Sequence, residues 1–87
     1  MSDIQMYTTA YCPYCVAAKN LLQARGLEWE EIRIDTDPNR MGEMLERSQG
    51  RRTVPQIFVN GVHVGGFDDL AAADRSGQLA EILEQGA

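Results

Sequence analysis

The sequence predicts an α/β domain in which a four-stranded mixed sheet carries helices on both faces, in the order β-α-β-α-β-β-α. Three observations lead to this prediction. Short apolar runs alternate with stretches of helical period over the first half of the chain. An Asn-Gly dipeptide joins two later strand-like runs. Finally, 87 residues with 44% hydrophobic content are enough for one small core. We therefore expect residues 1–87 to form a single domain.

The first half of the chain predicts a strand, a helix and a second strand. Residues 4–8 form an apolar, strand-like run, and the helix that follows Pro13 ends at Gly26. Residues 29–34 form the second strand. Because a strand-helix-strand connection is almost always a right-handed crossover, the two strands should be parallel. One helical face collects Cys15, Ala18, Leu21 and Leu22.

The middle of the chain predicts a second helix and a hairpin. Asp37-Pro38 supplies a helix N-cap followed by proline in the first turn. Residues 56–59 and 62–64 flank Asn60-Gly61, the dipeptide typical of a two-residue hairpin, so these strands should be antiparallel. The second helix has a buried stripe of Met41, Met44, Leu45 and Ser48.

The end of the chain predicts two helical segments. Asp68 or Asp69 offers a helix cap after the glycine pair at 65–66, and residues 70–75 and 79–83 have helical patterns. Ser76-Gly77 interrupts them.

The two cysteines are the most informative feature of the chain. Cys12 and Cys15 are its only cysteines, and a disulfide that closes so short a loop contributes little stability, so the pair indicates redox chemistry. Cys12 lies where a helix begins, and unpaired N–H groups there stabilise a thiolate. We assign Cys12 as the nucleophile and Cys15 as the resolving thiol. A structural zinc pair would need four ligands, and His63 is the only histidine.

Composition excludes several classes of partner. A net charge of −5 and a pI near 4.6 argue against nucleic acid or an anionic membrane. The sequence has neither the pattern of a secretion signal nor an apolar run of membrane-spanning length, so we expect a cytoplasmic protein. In that reducing compartment the two thiols should cycle.

Three motifs in order and spacing resemble a known family. They are Cys12-Pro13-Tyr14-Cys15, Thr53-Val54-Pro55-Gln56-Ile57-Phe58 and Gly65-Gly66-Phe67-Asp68-Asp69-Leu70. On these motifs the chain is similar to the dithiol class of glutaredoxins, with the thioredoxin fold, over about residues 4–83. The resemblance implies a glutathione-dependent thiol–disulfide oxidoreductase that acts as a monomer, without a metal, on glutathionylated or disulfide-containing proteins, with ribonucleotide reductase and peroxidases as examples.

The resemblance also implies where glutathione binds. The Val54–Pro55 bond should be cis and face the cysteines, leaving the Val54 backbone to pair with the cysteine part of glutathione. The segment 65–69 should hold the γ-glutamyl end, in keeping with glycines that admit another backbone and a helix start that binds a carboxylate. Pro13, Tyr14 and Pro55 support the cysteines. The implied glutathione-binding residues are Thr9, Tyr14, Thr53, Val54, Pro55, Gly66, Phe67, Asp68 and Asp69.

Charged residues leave two questions open. Many dithiol glutaredoxins have a lysine where this chain has Thr9, so glutathione should bind somewhat more weakly. A basic group near Pro55 offers partners for the glycyl carboxylate without indicating which residue binds it. Lys19 is better read as a solvated helix residue. The group consists of Arg40, Arg47, Arg51 and Arg52.

Two alternative functions use the same cysteines. The protein could be reduced by thioredoxin reductase, in which case the glutathione pocket would be lost. It could also form a dimer that shares a [2Fe–2S] cluster between two Cys12 thiolates and two glutathiones. Family members with such clusters typically carry Cys-Gly-Phe-Ser or a small residue in place of Pro13, which argues against this alternative.

Overall fold

The computed structural model describes residues 3–85. Within this range four strands form one sheet in the order β2-β1-β3-β4, with β1 and β2 parallel and the other pairs antiparallel. The predicted mixed sheet and the parallel first pair are confirmed. The elements are β1 Ile4–Thr8, α1 Pro13–Ala24, β2 Glu30–Arg33, α2 Pro38–Arg47, β3 Gln56–Val59, β4 Val62–Gly65, α3 Phe67–Ser76 and α4 Gln78–Gln85.

Apolar side chains cover both faces of the sheet. Alternate residues of a strand point to opposite faces, so Met6 and Tyr7 of β1 belong to different clusters. Met6 packs with residues of α1, α3 and α4, whereas Tyr7 packs with Met44 of α2. The prediction of helices on both faces is therefore confirmed.

Local signals predicted the turns and caps of the middle segment correctly. Asp37 is the N-cap of α2, and its Oδ1 accepts the Asn39 N–H at 3.1 Å. Asn60 and Gly61 have φ values of 52° and 81°, as the predicted turn between β3 and β4 requires. Gly77, with φ of 85°, separates α3 from α4.

Asp69 helps to cap α3, as predicted, but from within the helix. The helix begins at Phe67 with Gly66 as its N-cap, earlier than the predicted residue 70, so Asp68 and Asp69 lie in its first turn. Asp69 Oδ2 accepts the Gly66 N–H at 3.0 Å, as the third residue of a capping box does. The second strand is also shorter than the predicted 29–34.

The strand directions bring three connecting segments to one end of the sheet. Tyr7, near the end of β1, pairs with Gln56 at the start of β3, so the segment before β3 lies beside the segment that enters α1. Gly65, at the end of β4, pairs with Ile57, which brings the start of α3 to the same end. No helix within residues 3–85 has the length and apolarity needed to cross a membrane.

Candidate functional site

Cys12 is the N-cap residue of α1, and its sulfur has two close polar neighbours. The Cys15 backbone N–H donates to Cys12 Sγ at 3.1 Å, and the Val54 carbonyl oxygen lies 3.7 Å from the same sulfur. Cys12 is 9% exposed. A sulfur at this position meets the N–H groups of the first helical turn, which stabilise negative charge. Both cysteines are free thiols in this structure.

Cys15 lies one turn further along α1 and faces the core. It is 1% exposed. Burial raises the pKa of the Cys15 thiol to about 12, and its hydrogen bond with Cys12 adds to this effect. At neutral pH Cys15 is therefore protonated, whereas Cys12 is somewhat more exposed and has an N–H donor at its sulfur. The two thiols of one motif thus have different environments.

A groove of about 340 Å³ runs beside Cys12. It brings together eight of the nine residues that the resemblance implied for glutathione, all except Thr9. Val54 lines the groove and lies close to Cys12 Sγ, and the Val54–Pro55 peptide bond is cis, as the resemblance implied. The groove is lined by Tyr14, Thr53, Val54, Pro55, Gly66, Phe67, Asp68 and Asp69, together with Arg51.

Two close approaches shape the groove. The rings of Tyr14 and Phe67 lie 6.4 Å apart, and Tyr14 is 63% exposed, so an aromatic wall stands next to the cysteines. On the other wall, a Cβ added at Gly66 would lie 3.5 Å from the Pro55 carbonyl oxygen. The backbones of two distant segments therefore come close together here, as the glycines suggested.

The structure separates the four arginines that the sequence groups together. Only Arg51 lines the groove, where both terminal nitrogens lie 3.4 Å from Asp69 Oδ2. Arg47 lies on the face of the sheet that carries Tyr7 and Phe58. It donates to the Tyr7 hydroxyl at 2.9 Å, and its guanidinium lies over the Phe58 ring, 4.0 Å from the centroid. Arg40 pairs with a glutamate of its own helix. Sequence distance alone could not separate these residues.

Thr9 lies in a second cavity, which shares no lining residue with the groove. This cavity also contains Cys12, Lys19 and Glu31. Lys19 keeps 29% of its side chain exposed, and its Nζ also pairs with Glu31 Oε2 at 2.7 Å, a contact that the sequence did not predict. The same carboxylate oxygen accepts a hydrogen bond of 2.8 Å from the hydroxyl of buried Thr8. The hydrogen bond from Lys19 lowers the pKa of Glu31. The signal in the sequence that Lys19 lies near the cysteines was its spacing, one helical turn after Cys15.

No three side chains of His, Cys, Asp or Glu in the described part of the chain come together as a metal site would require. What the structure does offer is a thiol at a helix start that is 9% exposed, a more deeply buried and protonated thiol behind it, and an open groove alongside. This arrangement is suited to the exchange of disulfides through a nucleophilic cysteine.

Comparisons with known proteins agree with this chemistry. A glutaredoxin of *Pseudomonas aeruginosa* is 48% identical over 83 residues, which are 95% of this chain and 98% of the relative. The solution structure of a *Brucella melitensis* glutaredoxin superposes with a TM-score of 0.82 at 48% identity, covering 98% of this chain and 91% of that one. The crystal structure of a buckwheat glutaredoxin–glutathione complex gives 0.86 at 28% identity, with 98% and 79% covered.

The fold and the paired cysteines define a thiol–disulfide oxidoreductase with the thioredoxin-like fold. The family model described as glutaredoxin matches residues 4–64. The chain belongs to the glutaredoxin family.

Proposed function

We propose that this chain is a dithiol glutaredoxin that uses glutathione to reduce protein–glutathione mixed disulfides and protein disulfides. The observation that carries the proposal is the position of Val54, which lines the groove while its carbonyl oxygen lies 3.7 Å from Cys12 Sγ. A ligand bound along this backbone would have its own sulfur next to the nucleophile. The buckwheat glutaredoxin, of similar fold, is described in complex with glutathione.

The proposed reaction begins at Cys12. Its thiolate attacks the glutathione sulfur of a mixed disulfide, the disulfide bond breaks, and the protein thiolate leaves and takes a proton from water. The N–H of Cys15, 3.1 Å from Cys12 Sγ, stabilises the attacking thiolate. A second glutathione, as thiolate, then attacks the glutathione bound to Cys12. Oxidised glutathione leaves and the Cys12 thiolate returns.

Cys15 enters only when a protein disulfide is the substrate. After Cys12 has attacked, Cys15 loses its proton and attacks Cys12 Sγ, which releases the reduced protein and leaves a Cys12–Cys15 disulfide for glutathione to reduce. Because burial raises the pKa of Cys15 to about 12, this thiol does not compete with Cys12 for the first attack. The two cysteines therefore have separate roles.

The groove supplies recognition in this proposal. The backbone of Val54 pairs with the cysteine part of glutathione, and the start of α3 at Phe67 and Asp68 receives the γ-glutamyl carboxylate through its N–H groups. Asp69 faces the ammonium group. Arg51, beside Asp69 in the same groove, offers its charge to a ligand carboxylate. We further propose that the protein acts as a monomer in the cytoplasm.

Two cysteine variants test the proposal. In an assay with a glutathionylated peptide, glutathione and glutathione reductase, Cys12→Ser should lose all activity. Cys15→Ser should keep deglutathionylation and lose the reduction of a protein disulfide. Equal loss of deglutathionylation in both variants would contradict the assigned roles. Replacing glutathione by thioredoxin reductase and NADPH as the electron source should give no turnover, and turnover there would favour the alternative reductant.

A further inference from the structure

A chain of side-chain hydrogen bonds runs from the edge strand β4 to the wall of the groove. Its middle member is Gln56, the first residue of β3, whose side chain is fully buried. Gln56 Oε1 lies 2.7 Å from His63 Nε2, and Gln56 Nε2 lies 3.0 Å from the Thr53 carbonyl oxygen and 3.2 Å from Thr53 Oγ1. Neither His63 nor Gln56 lines the groove, whereas Thr53 does.

The chemistry of the end members sets the direction of these bonds. The Thr53 carbonyl oxygen can only accept, so the NH₂ group of Gln56 must face it. The amide oxygen of Gln56 then faces His63 and can only accept, so His63 Nε2 must carry a hydrogen and donate it. The bonds therefore run one way, from His63 through Gln56 to Thr53.

The ring of His63 is itself held in place. It stacks on Phe58 with centroids 4.7 Å apart and an interplanar angle of 21°. The Arg47 guanidinium lies over the same Phe58 ring at 4.0 Å. Phe58, in contact with both Arg47 and His63, therefore holds the imidazole where its Nε2 reaches Gln56.

Thr53 gains a defined orientation from this arrangement. Its Oγ1 accepts a hydrogen from Gln56, which leaves its own hydroxyl hydrogen free to point into the groove. A donor there suits a carboxylate or amide oxygen of a peptide-like ligand.

We propose that His63 and Gln56 are positioning residues, which hold Thr53 so that its hydroxyl donates to an oxygen of glutathione in the groove. This inference rests on the proposed glutathione-dependent function. It assigns to a histidine outside the groove, and to a fully buried glutamine, an effect on substrate binding and none on the sulfur chemistry.

A pair of variants at His63 tests this hydrogen-bond relay, which runs from His63 through Gln56 to Thr53. His63→Leu removes the donor, and Gln56 is then free to turn away from Thr53. The KM for a glutathionylated peptide should rise about three- to tenfold, the range of one neutral hydrogen bond, with kcat little changed. His63→Gln returns an N–H near the position of Nε2 and should restore most of the KM. The rate at which iodoacetamide alkylates Cys12 should be the same in wild type and both variants.

Coupling to Thr53 separates positioning from a general loss of packing. Thr53→Val should raise KM by itself, and adding His63→Leu to it should raise KM no further, because the hydroxyl that the relay orients is gone. If the two effects multiply, or if the Leu and Gln variants behave alike, the relay is wrong. Gln56→Met, which keeps the volume and removes all three hydrogen bonds, replaces His63→Leu if thermal melting shows that variant to be unfolded.

An assay of the wild-type protein separates failure of the proposed glutathione-dependent function from failure of the hydrogen-bond relay. Wild-type protein without glutathione-dependent turnover would overturn the proposed function and this inference together. Active wild-type protein whose KM is unaffected by His63→Leu or Gln56→Met would overturn the relay alone.

Discussion

Replacing Cys12 with serine isolates Cys15 and allows its environment to be measured directly. In the native protein burial, with an added contribution from Cys12, raises the pKa of Cys15 to about 12, against about 8.5 for a free thiol, so Cys15 holds about 3,000-fold less thiolate at pH 7. The substitution removes the contribution of Cys12 and leaves that of burial, so this ratio is an upper limit for the variant. A thiolate of higher pKa is more nucleophilic, with a Brønsted coefficient of about 0.4–0.5, and this recovers about 25- to 55-fold. From the pKa alone, alkylation of Cys15 in the variant should therefore be slower than that of free cysteine by at most about 50- to 120-fold. Its burial, at 1% exposure, can only slow it further.

The assay is the rate of iodoacetamide modification of Cys12→Ser, followed by mass spectrometry from pH 7 to pH 10. The rate should rise about tenfold with each pH unit and show no plateau, since the thiol titrates above this range. The control is the same variant unfolded in urea, which should react like free cysteine. A plateau below pH 9, or a native rate equal to the unfolded rate at pH 7, would refute the argument that burial keeps Cys15 protonated.

Three further predictions concern residues around the cysteines. Glu31→Ala leaves a buried threonine hydroxyl without its acceptor, so urea titration should show a loss of about 1–3 kcal/mol in the free energy of unfolding. Because Lys19 lowers the pKa of Glu31, the part of this difference that depends on the charge of Glu31 should be full above about pH 4.3 and be lost as the pH falls through the folded-state pKa. The part due to the hydrogen bond from Thr8 should remain, since a neutral carboxyl still accepts it. Thr9→Lys should lower KM for a glutathionylated peptide severalfold and make it more salt-sensitive, and an unchanged KM at low and high salt would place Thr9 beyond the ligand's reach. Gly65→Ala, whose Cβ would overlap the Asp69 carboxylate, should raise that KM, whereas Gly61→Ala, at a positive φ in open space, should reduce stability alone. Equal KM values for the two glycine variants would argue against a role of Asp69 in the groove.

Features fixed by neighbouring residues were predictable from the sequence. The Asn60-Gly61 turn needs positive φ at both positions, and this requirement appears in the residue types themselves. The cap at Asp37 likewise depends on an amide two residues away. The cysteine pair falls in this class too, because Cys12 and Cys15 lie within one helical turn.

Contacts between distant segments were not predictable in the same way. Four arginines lie within thirteen residues of sequence, yet only Arg51 reaches the groove, because the side chains of Arg40 and Arg47 find partners elsewhere. The pairing of β1 with β3, which brings Thr53 to the cysteines, joins residues about fifty positions apart. The start of α3 depended on which of several polar groups closes its first turn, and Asp69 does so from within the helix.

The asymmetry of the two thiols follows from the geometry of one helix. The N-cap residue stands outside the helical cylinder, so the sulfur of Cys12 meets the free N–H groups of the first turn and lies 3.7 Å from the carbonyl oxygen of Val54, which lines the groove. The residue three positions later lies on the face that packs inward, in line with Ala18 and Leu22, and Cys15 is buried with them. Two cysteines separated by two residues at a helix start therefore have different environments, since Cys12 has the free N–H groups of the first turn and Cys15 is buried and protonated. In the proposed function this difference separates the two roles of the cysteines, and the groove and the hydrogen bonds behind Thr53 supply recognition.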